Sequence, residues 1–128
     1  MNTEDLNRAL VTLIQKKQEL QVLPYSDDRY DDLEEELHDL EDDFNEQYGT
    51  FLEEALEKVH ADLGSDTDVL LPTAYLPSRI DGDVSPKEGV WIDSEKYPSK
   101  EARLTLLPNP TRVILTVGKT VKQEVWKA

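Results

Sequence analysis

Two glutamate–histidine pairs, Glu35-x-x-His38 and Glu57-x-x-His60, have the spacing by which facing helices supply the ligands of dinuclear metal centres. Residues three apart share a helical face, so each pair can aim a carboxylate and an imidazole at one ion. If the helix carrying them folded back near Gly49, the pairs would face one another. On a straight helix they stand about 33 Å apart, and an acid run this dense places a glutamate before almost any histidine. Two further carboxylates from other helices would also be needed, and the first helix offers only Glu4 and Glu19, near its ends. No metal and no cofactor is therefore expected. With two histidines and no cysteine, a Cys-His nucleophile is excluded, and a Ser-His-Asp set would have to use helical histidines far from any nucleophile-like turn. The five glycines are scattered, and Gly118-Lys119-Thr120 lacks the upstream loop of a phosphate-binding motif, so it reads as a hairpin turn. The chain is expected to be no enzyme.

The remaining chemistry is negative charge. Residues 27–68 hold eighteen acids against Arg29 and Lys58, a net of −16; residues 1–26 sum to zero and residues 69–128 to +2, which gives the −14 of the chain. Such a field repels nucleic-acid phosphates and anionic lipid and attracts basic partners. Neither direct nucleic-acid binding nor a membrane is expected. Trp91, Tyr97, Trp126, Arg103, Arg112 and Lys122 are the residue types of a nucleic-acid face, but a local net of +2 beside −16 opposes that use, and the tryptophans read as packing residues. The acid run itself has several readings. The plainest is a solvated outer face. A docking surface for a basic protein would relieve the self-repulsion of like charges held close together. Weak Ca²⁺ or Mg²⁺ binding by Asp27, Asp28, Asp31 and Asp32 meets the difficulty that successive helical residues point in different directions. The functional expectation is a protein–protein interaction module whose contact residues are Asp27, Asp28, Asp31, Asp32, Glu34, Glu35, Asp39 and Asp42.

The elements that must position these residues follow from periodicity. Thr3 is the expected N-cap of a first helix, with Glu4 and Asp5 suited to the positive end of its dipole. Leu6, Leu10, Leu13, Lys17 and Leu20 form its stripe, Lys17 lying its stem along apolar surface, and Pro24 ends it near Leu23. Ser26 is the expected cap of a second helix running to Leu63, with Tyr25 and Tyr30 as a hydrophobic staple and Gly64 as a left-handed stop. Tyr30, Leu33, Leu37, Leu40 and Phe44 continue the four-and-three spacing, so a turn of two or three residues makes the helices an antiparallel coiled coil. Positions summing to about 50 pair, placing Leu13 near Leu37 and Leu6 near Phe44. The second helix overshoots the first by roughly 25 Å. Its surplus, Tyr48 to Leu63, needs another surface, and Gly49 is the point where a kink or break would come.

After Gly64, prolines and β-branched residues replace the Leu/Glu pattern. Val69–Leu76 reads as an irregular edge strand, 78–89 as a mobile loop and Gly89–Asp93 as a short strand. Ala102–Leu107, Thr111–Val117 and Thr120–Trp126 read as an antiparallel meander with one covered face. The expected class is α+β: an N-terminal antiparallel helical hairpin with a long acidic second helix, packed on a small C-terminal antiparallel β-sheet. At 128 residues and 38% apolar content, one domain over 1–128 is expected, 1–64 forming the hairpin and 65–128 the β-rich part. The N-terminal residues lack the basic start and apolar run of a signal peptide, and the absence of cysteine fits a reducing compartment, so a cytoplasmic location is expected. Val11, Ile14 and Val22 are expected to stay partly uncovered, which allows a homodimer through the helical hairpin.

An antiparallel coiled coil with acids at its tip, followed by a β-rich domain, is similar to the Gre-type transcript cleavage factors. Ser26-Asp27-Asp28-Arg29-Tyr30 is the part that resembles their tip, with Arg29 standing where they have an acid before the tyrosine. The resemblance implies an RNA polymerase-binding factor that presents Asp27 and Asp28 to a catalytic Mg²⁺. It spans about five residues plus topology, and likeness of fold alone is not evidence of function.

Overall fold

A computed structural model describes residues 2–79 and 88–128. The expected loop 78–89 falls largely outside the described residues. Asn2, not Thr3, caps the first helix α1 (Thr3–Gln21): its side-chain oxygen accepts from the backbone N–H groups of Glu4 at 3.0 Å and Asp5 at 3.1 Å. Asn2 is extended, which leaves its carboxamide free to reach forward over the first turn. Leu6, Leu10, Leu13 and Ile14 bury completely or nearly so. Ile14 is therefore core, contrary to the expectation that it lies uncovered, and Val22 remains 77% exposed.

The connection between the helices, Val22 to Arg29, is longer than the two or three residues expected. Ser26 does not cap the second helix: its N-cap position is Arg29, which makes no side-chain capping bond, and the Asp27 carboxylate accepts from the Arg29 backbone N–H at 2.9 Å, closing a local turn ahead of the helix. The second helix α2 thus begins at Tyr30 and ends at Asp62. The expected staple is present as a ring stack of Tyr25 on Tyr30, with centroids 4.5 Å apart. Across the hairpin Lys16 Nζ meets Glu36 at 3.0 Å, a register within two residues of that expected.

The 33 residues of α2 run through Gly49 without a break, a rod of about 50 Å. Its first part lies against α1, and its second covers the β-rich half: Phe51 meets the edge of Trp126 at 6.0 Å between ring centroids. Leu52, Leu56, Val59 and Leu63 join the same apolar cluster as Leu104, Leu106 and Leu115. Val69–Leu76 is not a strand. Pro72 starts a 3-10 turn, Pro72–Tyr75, since its fixed φ and missing N–H suit a helical first position.

The sheet has four strands, β1 (Val90–Ile92), β2 (Ala102–Leu107), β3 (Arg112–Val117) and β4 (Val121–Lys127), antiparallel in chain order. Ala102, Leu104 and Leu106 share the core face with Val113, Leu115 and Val117. A bulge between the partners of Val113 and Ile114 leaves Val125 without a register partner, so that Trp126 stands opposite Val113, and Val121, Val125 and Trp126 all pack against the core. Thr105, Ile114 and Thr116 on the opposite face are also buried, so β2 and β3 are covered on both sides rather than one. The start of α1 is stitched to the β2–β3 turn: the Asn7 side chain accepts from the Asn109 backbone N–H at 2.8 Å and from the Thr111 hydroxyl at 3.2 Å, and donates to the Asn109 side chain at 3.0 Å.

Two glycines predict opposite responses to the same substitution. A Cβ on Gly49 would meet only Asn45 Cβ, at 3.9 Å, so Gly49→Ala is expected to stabilise the fold by about 0.5–1 kcal/mol through helix propensity. Gly89 has φ +89° and a Cβ there would lie 2.2 Å from the Leu104 carbonyl oxygen, so Gly89→Ala should cost about 1–3 kcal/mol. Urea denaturation midpoints of the two variants check the signs.

Candidate functional site

The acids of α2 lie opposite its packed face because acids and leucines follow the same helical period out of phase. Leu37, Phe44, Leu52, Leu56 and Val59 are buried, while Asp31, Asp32, Glu35, Asp39 and Asp42 are exposed. Glu36, Asp43, Glu46 and Glu57 prolong the exposed face beyond the residues named from the sequence; plotting every acid on the helical wheel would have found them. Glu34 sits on the flank and is half-buried.

At the hairpin tip the arrangement differs from that along the rod. Both oxygens of Asp27 are held by the Arg29 guanidinium, at 3.1 and 3.0 Å, and the Arg29 backbone N–H adds a third bond. Those bonds, the guanidinium first, hold the Asp27 carboxyl below its ordinary range. Asp28 is exposed beside this closed pair. Among the described residues, Asp27 and Glu36 are the acids of 27–46 that pair with a cation, Glu36 through Lys16. The ammonium of Lys16 is held above its usual value chiefly by that hydrogen bond to Glu36, and Glu19 on α1 adds to it. The candidate site is thus one long, nearly unneutralised carboxylate face on a rigid rod.

The two Glu-x-x-His pairs are not brought together, because α2 does not fold back at Gly49. His38 is exposed, and His60 is 3% exposed with both ring nitrogens occupied. Nδ1 lies 3.1 Å from the Thr67 carbonyl, which can only accept, so Nδ1 carries the proton. Nε2 then accepts from the Tyr75 hydroxyl at 3.2 Å, and that oxygen accepts the Leu70 backbone N–H at 3.1 Å. Burial drives the His60 pKa down, opposed by the Thr67 carbonyl, and burial drives the Tyr75 phenol up. His60 is therefore a satisfied core histidine. Among the described residues no group of three or more histidine and carboxylate side chains is placed to hold a metal ion.

The aromatic and basic residues of the β-rich half are divided between the two faces of the sheet. Trp91 pairs with Arg103 on the outer face and is 48% exposed, whereas Trp126 points inward to Phe51. Arg103 is bound to Glu101 at 2.6 Å, and Arg112 donates to the carbonyls of Pro108 and Pro110. By register Trp91, Arg103, Arg112 and Lys122 fall on the outer face and Trp126 on the inner one, with Arg103 turned to Glu101 and Arg112 to the β2–β3 turn. Among the described residues no helix is long and apolar enough to cross a membrane. No protein-family model matches the chain, and no curated protein and no solved structure matches it.

The His60 network makes two measurable demands. Tyr75→Phe leaves His60 Nε2 and the Leu70 N–H without partners and should cost about 1–3 kcal/mol in denaturant unfolding. With its folded pKa below the unfolded one, His60 contributes stability that is complete above the unfolded value of about 6.5 and lost as pH falls from there toward the folded pKa. Unfolding curves across that window should weaken with acidification in the wild type, and by less in His60→Gln.

Proposed function

We propose that this is a non-enzymatic interaction module, acting in the cytoplasm, whose long acidic helix docks a basic protein partner. The observation that carries the reading is the exposed carboxylate face of α2 with almost no cations set against it. Like charges three and four residues apart along a helix destabilise it by a few tenths of a kcal/mol per pair. Here they recur over most of a rod that packing against α1 and the sheet holds straight. Lysines and arginines of a partner would remove that repulsion on binding, and the long-range field would speed their approach. Because the helix is continuous and packed along its inner face, the charges are presented together on its outer one.

The metal-presenting alternative gains no support from the tip: the carboxylate of Asp27 is engaged on both oxygens by Arg29, leaving Asp28 alone. A homodimer through the hairpin is disfavoured by the burial of Ile14 and by the like charge two such arms would bring together.

The test is capture of basic proteins by immobilised full-length chain. Binding should fall steeply between low and physiological salt, as exposed charge pairs are screened beyond about 8–10 Å. Replacing Glu34, Glu35, Asp39 and Asp42 together with lysine should abolish it while the circular dichroism spectrum is unchanged. Capture that survives this reversal in a folded variant would reject the proposal.

A further inference from the structure

Where the two helices separate at the hairpin end, an open groove of about 510 Å³ lies between them. Its apolar part is Val22 and Leu23 from the connection and Leu33 from the first turn of α2; Glu19, Asp32 and Glu36 stand around it with Arg29, whose guanidinium is held by Asp27, so the rim stays net negative. Two features make the groove more than a gap in packing. Val22 is 77% exposed and Tyr25, just beyond, 83% exposed, although the connection is tied by backbone turns at Leu23, Asp27 and Tyr30 and by the Asp27–Arg29 pair. Apolar surface is therefore held outward on an ordered scaffold. Second, two of the rim acids are tied across the helices by Lys16, which bridges Glu36 at 3.0 Å and Glu19 at 3.7 Å and so fixes that side of the rim.

We infer that this groove is the anchor point for the basic partner, and that the partner's binding element is an amphipathic segment with an apolar side chain seated on Val22, Leu23 and Leu33 and lysines or arginines flanking it. The inference rests on the docking function proposed above and deepens it. Charge complementarity selects this occupant. Asp32 and Glu36 belong both to the groove and to the carboxylate face, so a segment anchored in the groove and lying along α2 meets Asp32, Glu36, Asp39 and Asp43 in succession at helical spacing. A second copy of this chain would bring another −16 segment into the same place, and an anionic membrane or nucleic acid would meet the same repulsion. Apolar anchors with basic flanks match what the groove and its rim present, in the manner of an amphipathic helix laid into an apolar groove.

The experiment uses the full chain and two synthetic peptides of leucine and lysine with identical composition. One has its leucines at i, i+3, i+4 and i+7, and the other has them scattered so that no helical face is apolar. Fluorescence anisotropy of the labelled peptides gives both affinities. The inference expects the amphipathic peptide to bind at least about tenfold more tightly than the scattered one, the effect of burying one apolar side chain. Val22→Ser combined with Leu23→Ser should erase that preference while leaving the weaker, salt-sensitive binding of both peptides. The comparison on the wild type stands even if this variant fails to fold. Equal binding of the two peptides, both abolished by the lysine reversal at Glu34, Glu35, Asp39 and Asp42, would overturn the groove and leave the docking function standing. A preference that persists in the groove variant would place the anchor elsewhere and overturn it as well. No binding of either peptide, or a chain that light scattering shows to be dimerised through the groove, would overturn both.

Discussion

A helix of 33 residues that runs without a break must find apolar cover along its whole length, and no single partner here is long enough to supply it. α2 solves this by changing partners. Its first part uses the stripe of α1, and beyond Phe44 its buried positions pass to the 3-10 turn and the sheet. Everything else is placed by that division. The acids must occupy the opposite face for the same geometric reason that the leucines occupy the inner one, so the carboxylate surface is a consequence of the rod's packing as much as of its composition.

The hand-over is held by polar contacts at both ends. Asn7 joins the first turns of α1 to Asn109 and Thr111, so the hairpin is fixed to the sheet through α1 as well as α2. At the far end of α2 the Ser94 hydroxyl donates to the Leu63 carbonyl at 2.6 Å, and His60 reaches both Thr67 and Tyr75. A carbonyl at a helix C-terminus has no intrahelical partner, so Ser94 satisfies one that would otherwise be left bare in the interior. These contacts take the chain from the helix into the β-rich half without leaving the end of the rod free to move. The acid face is consequently displayed from a scaffold with two anchorages.

The tip is built on different physics from the flank. Along α2 the carboxylates face water and one another; at the connection Asp27 is neutralised by Arg29, and Tyr25 and Tyr30 stack. The end of the hairpin is thereby less charged and more apolar than the face it adjoins. For the docking function proposed above, an apolar end beside an acidic flank would favour amphipathic basic segments over merely basic ones, a distinction that charge alone could not make.

Helical and strand periodicity are local properties, and they determined the antiparallel hairpin, the long acidic α2, the meander of β2, β3 and β4 and the short strand around Trp91 before any contact was known. Turn chemistry marked Gly64 and the Pro108-Asn109-Pro110 corner for the same reason. What depended on groups distant in the chain was decided only by the tertiary structure. Capping of the first helix passed from Thr3 to Asn2, and the second helix starts at Tyr30 with no side-chain cap, because several eligible side chains compete for the same amides and geometry chooses among them. The bulge that turns Trp126 toward Phe51, the seating of Asn7 on a turn 102 residues away, and the enclosure of His60 by Thr67 and Tyr75 all need partners that no window of sequence contains. The groove beside Val22 arises likewise from the distance between two helices, which the spacing of leucines constrains and only their packing sets.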